Sequence, residues 1–370
     1  MTITIPSGRT IALAAKDGGG FQSEGISEVS PGTEIITGSG FGTGPTVVLF
    51  DSFDSGEDGS LISLSGAEIG GWSDENTGVS EFVSGTRYFL ANGRLWMAGR
   101  DTTQLSADSK NGTGLRFDFA EEVTEFRLSY RVLCPSGYKF PGCASANTNY
   151  FTGSNWKITW WGRAEEGSAS GAGAGEPDIC IPTVSNGNGS GSNEVQVLGN
   201  HFRWEYGASS RVYVGSPHGS NENFWSFYQS PESSEGDRDG VVEYLQGNGV
   251  STSRTIRTSA DPFHEWNGDV TNETFNMFLF NGWMGLSNSP PEIDYVNVLP
   301  LFADAYVAVG PNSRACILTS DAPTVSGSTD IYIVPPTTWT DTEVTFNPKA
   351  RESLAYRHLV LADGTLLEDV

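Results

Sequence analysis

The sequence predicts an all-β protein whose larger part is a large antiparallel sandwich of jelly-roll type. Three observations carry this expectation. Helical spacing is almost absent: few windows place apolar residues at i, i+3, i+4 and i+7 over more than two turns, and capped apolar stretches are missing. Alternation recurs instead: in Leu115-Arg116-Phe117-Asp118-Phe119 the apolar residues share one face and the charges the other. Turn chemistry punctuates the chain at Asn92-Gly93, Asn111-Gly112, Asn248-Gly249, Asn267-Gly268 and Asn281-Gly282.

The strands follow in order. Phe126, Leu128, Tyr130 and Val132 alternate with Arg127, Ser129 and Arg131. Further candidates are Trp156–Trp160, His201–Tyr206, Arg211–Val214, Asn223–Tyr228, Val241–Leu245, Thr274–Phe280 and Asp294–Val298. Between them Glu165–Asn193 is small and polar apart from Ile179-Cys180-Ile181, and reads as a long mobile loop at 165–193. After Asp304 the rhythm changes. Ala305–Val309, Ala315–Thr319, Thr329–Val334, Glu343–Phe346 and His358–Ala362 are short and separated by prolines. Five such strands are few for an independent domain and need partners from elsewhere in the chain.

Composition narrows the function. The chain has 370 residues and carries 45 acidic against 21 basic ones, a formal net charge of −24. So negative a surface repels phosphate, which argues against nucleic acid and anionic membrane as partners. No apolar run approaches the ~20 residues that span a bilayer as a helix. Residues 1–25 lack the compact apolar core of a secretory signal and read as an extended arm. Cys134, Cys143, Cys180 and Cys316 lack zinc-site spacing. Cys134 and Cys143 flank a turn-rich loop and are either bridged in an oxidising medium or idle thiols.

Residues Pro31–Val47, with the turn glycines Gly38, Gly40 and Gly42 around Phe41, resemble the opening of an immunoglobulin-like TIG domain. Trp339–Pro348 resembles its closing half. The resemblance implies a discontinuous sandwich from 26–47 and 305–370. The chain between, 48–304, is similar to concanavalin-A-like jelly rolls in its opening Leu49-Phe50-Asp51-Ser52-Phe53 and its closing Ile293–Val298. Chains of this layout resemble surface proteins of tailed-phage particles.

Candidate chemistry is spread along the chain. Glu292-Ile293-Asp294-Tyr295-Val296-Asn297 resembles the Glu-x-Asp-x-x-Glu strand of retaining jelly-roll glucanases, but Asn297 cannot supply the acid. A polysaccharide lyase needs a base and a neutralising group, for which His201, with Arg203 and Tyr206, and His264 are the candidates. Asp51, Asp54, Glu57 and Asp58 form a carboxylate-dense turn that Asp294 would approach if the terminal strands pair. These hard oxygen donors suit Ca²⁺, or form a solvated acidic turn. Along Trp156–Trp161 alternation separates Trp156, Ile158 and Trp160 from Lys157, Thr159 and Trp161. If a sandwich strand buries one face only, some rings point outward, into a glycan groove or a protein contact, unless a thick core hides them all. On this reading Trp161 and Trp225 are sugar platforms, with Arg203 and Glu205 as hydrogen-bonding partners.

The expectation drawn from these residues is a non-enzymatic virion protein, a capsid decoration or tail component assembled in the host cytoplasm. It is expected to form a homo-oligomer, to dock on its neighbours through the 1–25 arm and to bind cell-surface glycan. The alternative is an extracellular polysaccharide lyase or glycoside hydrolase.

Overall fold

The computed structural model describes residues 2–4, 10–12, 33–76, 86–98, 114–133, 155–162, 178–185, 195–199, 202–204, 222–230, 240–247, 249–258, 263–265, 275–285, 301–348 and 354–370. The strands begin with β1 (Thr2–Thr4), β2 (Thr10–Ala12), β3 (Glu34–Gly38), β4 (Thr46–Asp51), β5 (Asp74–Asn76), β6 (Arg87–Ala91) and β7 (Arg94–Ala98). Next come β8 (Gly114–Val123), β9 (Phe126–Leu133), β10 (Asn155–Gly162), β11 (Asp178–Ser185), β12 (Val195–Gly199) and β13 (Phe202–Trp204). They continue with β14 (Glu222–Ser230), β15 (Val241–Gly247), β16 (Thr252–Thr258), β17 (Phe263–Glu265), β18 (Phe275–Gly285) and β19 (Leu301–Val309). The last are β20 (Cys316–Ser320), β21 (Ile331–Val334), β22 (Pro336–Trp339), β23 (Glu343–Phe346), β24 (Tyr356–Val360) and β25 (Leu366–Leu367). Every described pairing is antiparallel, and the one described helical turn is Val325–Gly327.

Four sheets stack in layers. A six-stranded sheet (β12-β11-β10-β18-β8-β5) faces an eight-stranded one (β16-β15-β14-β9-β19-β7-β6, with β4 on β19). Their shared core holds Phe117, Phe278 and Phe280 from the first sheet and Phe126, Leu128, Tyr130, Val132, Trp225 and Phe227 from the second. The opposite face of the eight-stranded sheet meets a four-stranded sheet (β21-β20-β24-β25), through Phe224, Leu245, Tyr306 and Ala308 against Cys316, Leu318, Ile331, Ile333 and Val360. That four-stranded sheet turns Ile317 and Leu359 the other way, onto Ile36, Val344 and Phe346 of a five-stranded sheet (β1-β2-β3-β23-β22). The smaller sandwich is thus built from both ends of the chain, with β3 beside β23.

Alternation explains the stacking. In β20, Cys316 and Leu318 point one way and Ile317 the other, and each direction finds its own core. In β9 the even-numbered apolar residues enter the first core, while Arg127, Ser129 and Arg131 lie on the second face and are also buried. The Asn92-Gly93 turn behaves as its chemistry demands: both residues have positive φ (49° and 76°), the signature of a two-residue hairpin, and β6 and β7 pair across it.

Several expectations are corrected. Asn281-Gly282 lies inside β18, absorbed where the ladder with β10 slips between Lys157 and Thr159. Part of the expected 165–193 loop is strand β11, hydrogen-bonded to β10 and β12 around Ile179-Cys180-Ile181. The boundaries at 47/48 and 304/305 cut β4 and β19, which pair with each other. Within residues 1–25 the described strands β1 and β2 extend the edge of the chain's own β3, with Ile11 opposite Gly38. Cys134, Cys143 and Arg211–Val214 lie outside the described residues, and Cys316 is a buried free thiol.

Candidate functional site

Both faces of the central strands β9, β14 and β19 are covered, and this decides the fate of Trp225. Its ring is 1% exposed and meets Tyr130 edge-on at 5.7 Å. Trp225 is a core residue rather than a sugar platform. Its strand neighbour Phe224 on the opposite face is equally buried, because the C-terminal sheet covers it.

The second face carries a network of buried charge. Glu243, with no exposed surface, accepts hydrogen bonds from Arg127 Nη2 (2.9 Å), Arg254 Nη2 (2.7 Å) and Arg314 Nε (3.0 Å). Arg127 also donates to Ser226 Oγ and to the Arg314 carbonyl, and Arg254 to the Gly364 carbonyl. Burial alone would raise the Glu243 pKa, but the surrounding guanidinium groups hold the carboxyl at about 2. Nearby, Asp304 sits at φ 53° and takes a two-pronged bond from Arg94 (2.7 and 2.9 Å). Arg131 bridges to Asp330 and lies over the Tyr332 ring. The Arg314 bond to Glu243, the Arg127 and Arg254 bonds to the Arg314 and Gly364 carbonyls, and the Arg131–Asp330 pair tie the eight-stranded sheet to the C-terminal segment, while Arg94–Asp304 lies within the eight-stranded sheet.

The acidic turn does not gather into a metal cage. Asp51 is 1% exposed and its oxygens are taken by the Phe53 amide (2.8 Å) and the Trp72 indole N–H (2.7 Å). Burial pushes its pKa up to about 6, against those two bonds. Asp54 lies 3.7 Å from Arg94 on the partly exposed side, and Asp58 accepts from the Leu90 amide (2.8 Å). Glu57 is exposed at the turn's tip. Among the described residues no three His, Cys, Asp or Glu side chains are placed to hold an ion. Asp294, the proposed fifth ligand, lies outside the described residues, as do Glu292, Asn297, His201, Tyr206 and Glu205.

One histidine is fully placed. His358 is buried, with Nε2 2.6 Å from Ser320 Oγ, and the Asp369 amide donates to its Nδ1. A ring whose Nδ1 accepts a proton donor carries its own hydrogen on Nε2, so it donates to Ser320 and cannot take that hydroxyl's proton. The pair is structural. Burial, aided by Arg357, lowers the His358 pKa to about 4.

The six-stranded sheet offers the remaining face. Pairing partners share a face, and Phe117 and Phe278 are opposite each other in the core. Position 161 is the partner of Phe278 on β10, so the ladder sets Trp161 on the core-side face, contrary to expectation. Position 160 falls on the outer face. One transverse row of that face runs Asp74, Arg116, Leu279, Trp160, Cys180, Leu198 across all six strands. The next row runs Asp118, Met277, Gly162, Asp178, and within it Met277 is fully buried, so this face is covered there. Arg116 Nε donates to Asp118 Oδ1 at 2.6 Å, and both side chains keep access to solvent. Because β10 pairs with β11 without a slip, Trp156 shares the outer face with Trp160. Beside the edge strand β12, β13 pairs with β17 as a separate ribbon in which Arg203 stands opposite His264. The sequence could separate Trp156 and Trp160 from Trp161, but not say which positions pair across the core-side face of the sheet.

No family model and no curated protein sequence matches the chain. Among solved structures it is similar to a mutant of the alginate lyase Aly36B in complex with alginate trisaccharide, at 14% identity over 72% of this chain and 99% of that one, TM-score 0.44. It is similar to the PL-14 alginate lyase from Aplysia kurodai at 12% identity over 72% and 100%, TM-score 0.43. A laminarinase from Flavobacterium sp. UMI-01 matches at 13% identity over 60% and 80%, TM-score 0.32. None of these three is a phage or TIG protein, and the expected virion role gains nothing from them.

Proposed function

We propose that this protein binds an extended extracellular polysaccharide along the outer face of its six-stranded sheet. The observation that carries the reading is the pair of transverse rows that place Arg116, Asp118 and position 160 on the face turned away from Phe117 and Phe278, where Arg116 and Asp118 keep access to solvent. An aromatic ring stacks on the apolar face of a sugar, while a guanidinium and a carboxylate hydrogen-bond its hydroxyls. Trp156 and Trp160 are four residues apart on β10, roughly 13 Å at strand rise, and Arg116 is two strands away, roughly 10 Å. That strip fits a few consecutive sugar rings. The central strands β14, β9 and β19 of the eight-stranded sheet offer no comparable face, since both their sides are buried against other sheets.

The test is co-sedimentation with insoluble polysaccharides, comparing the parent with the Trp156→Ala, Trp160→Ala double variant. The reading expects binding that the double variant loses. Undiminished binding by the double variant would remove this face from consideration. A second reading, polysaccharide elimination, is favoured by one observation: the ribbon sets Arg203, a cation able to neutralise a carboxylate, opposite His264, a candidate base. Release of unsaturated ends from alginate, abolished by His264→Ala, is its expected result; no turnover on any acidic polymer leaves binding as the function.

A further inference from the structure

We propose that this protein pairs with a second copy of itself through β16, the outermost strand of the eight-stranded sheet. On its inner side β16 runs along β15 in an unbroken ladder, from Thr252 opposite Gly247 to Thr258 opposite Val241, with no register shift. Its outer side meets no backbone partner among the described residues. Such a row of amide and carbonyl groups is a template for another strand. The opposite edge of the same sheet shows how this chain closes one: Gly59, Ser60 and Ile62 bond to the backbone of Thr86 and Tyr88. β16 lacks the other common protections as well. Its sequence, Thr252-Ser253-Arg254-Thr255-Ile256-Arg257-Thr258, holds no proline, lysine or carboxylate. Arg254 is turned onto Glu243 and the Gly364 carbonyl. Ser253 and Thr255 are exposed, and Ile256 keeps 42% of its surface open.

Charge and symmetry select a second copy as the occupant. The chain carries a formal charge of −24, so two copies repel as whole bodies. β16 offers them an approach with no carboxylate on either strand, and Arg254 is already matched by Glu243 at 2.7 Å. A two-fold axis through the edge sets the two strands antiparallel and keeps each face on its own side, so residues of equal parity pair. Centring the axis on Arg254 or Arg257 sets an arginine opposite itself, which is unfavourable. Centring it on Thr255 sets Ile256 opposite Arg254. Centring it on Ile256 sets the two isoleucines together, with Thr255 opposite Arg257 and Arg254 opposite Thr258. Buried Thr252 then stays outside the pairing. This last register covers the exposed apolar side chain and opposes no like charges, and the sheet becomes continuous across both copies.

Sedimentation velocity of the full chain over a wide concentration range, at low and at high salt, tests this. The expected result is a mass that doubles as concentration rises. The doubling should come at lower concentration in high salt, where repulsion between two negative bodies is screened. Ile256→Lys should weaken the dimer about ten-fold or more, because the axis counts the lost apolar contact and the added like charge in both copies. Thr255→Lys is the second variant should the first fail to fold. Ile256→Cys should give a cross-linked dimer on mild oxidation, since facing residues of an antiparallel pair have Cα atoms about 4.5–5.5 Å apart, within disulfide reach. That yield should stand well above those of the parent and of Val250→Cys, an exposed position outside the pairing. A chain that stays monomeric at every concentration and salt overturns the proposal. So does a dimer that both lysine variants leave intact, because it belongs to another surface.

Discussion

Replacing Glu243 by Gln is the sharpest test of how the two sandwiches are joined. Glu243 is the common acceptor for Arg127, Arg254 and Arg314, and none of its surface reaches water. Gln keeps the shape but removes the anion and turns an N–H₂ group toward guanidinium donors. Breaking a buried pair by removing one partner costs about 3–5 kcal/mol, because the remaining charge stays buried and uncompensated. Here three cations share the one anion, which places the expected loss at the upper end, about 4–5 kcal/mol. That is a large fraction of the roughly 5–15 kcal/mol that holds a domain folded. The pH dependence supplies an independent estimate. Glu243 has its folded pKa at about 2 against an ordinary 4.5. Its stabilisation is therefore present above pH 4.5 and lost as the pH falls toward 2. The shift corresponds to about 3 kcal/mol. The assay is urea unfolding followed by tryptophan fluorescence at pH 7 and at pH 3, with exposed Glu57→Gln as the control, expected within about 0.5 kcal/mol of the parent. A Glu243→Gln protein within about 1 kcal/mol of the parent at pH 7 would refute the account of the joint.

Other outcomes follow from the same structure. His358 is neutral when folded, with its pKa lowered from 6.5 to about 4. It should therefore cost the fold about 3 kcal/mol as the pH falls from 6.5 to 4, and His358→Gln should flatten that part of a stability–pH curve measured by urea unfolding. Asp51 works in the opposite sense: its folded pKa of about 6 exceeds the ordinary 3.8, so the fold gains stability as the pH falls through that window. Asp51→Asn should then lose stability more steeply than the parent between pH 6.5 and 4. Gly93 has φ 76° with nothing near its missing side chain, so Gly93→Ala should cost about 1 kcal/mol from backbone strain alone. Gly70→Ala adds a clash with the Val48 carbonyl to the same strain and should lower the thermal midpoint further.

The all-β class, the alternating strands and the Asn92-Gly93 hairpin were legible in the sequence, because period-two patterning and turn chemistry act over a few residues. So was the meeting of Pro31–Val47 with Trp339–Pro348, since β3 lies against β23 and the Gly38 amide bonds to the Thr342 carbonyl. Alternation also sorted the residues of β9, β10 and β14 correctly into two sets. It could not say what each set would face. Trp225 was assigned to solvent on the premise that a strand buries one face; the C-terminal sheet covers the second face, so Phe224 and Trp225 are both inside. Asp51 looked like a ligand in an acidic turn until Trp72, 21 residues away, took its oxygen. Trp161 and Trp160 exchanged sides for the same reason, since only the ladder with Phe278 on β18 fixes which face of β10 meets the core. The sequence determined which residues share a face through the geometry of the backbone. The tertiary structure decided which faces meet water, because that depends on how distant segments stack and on the apolar area each leaves to be covered.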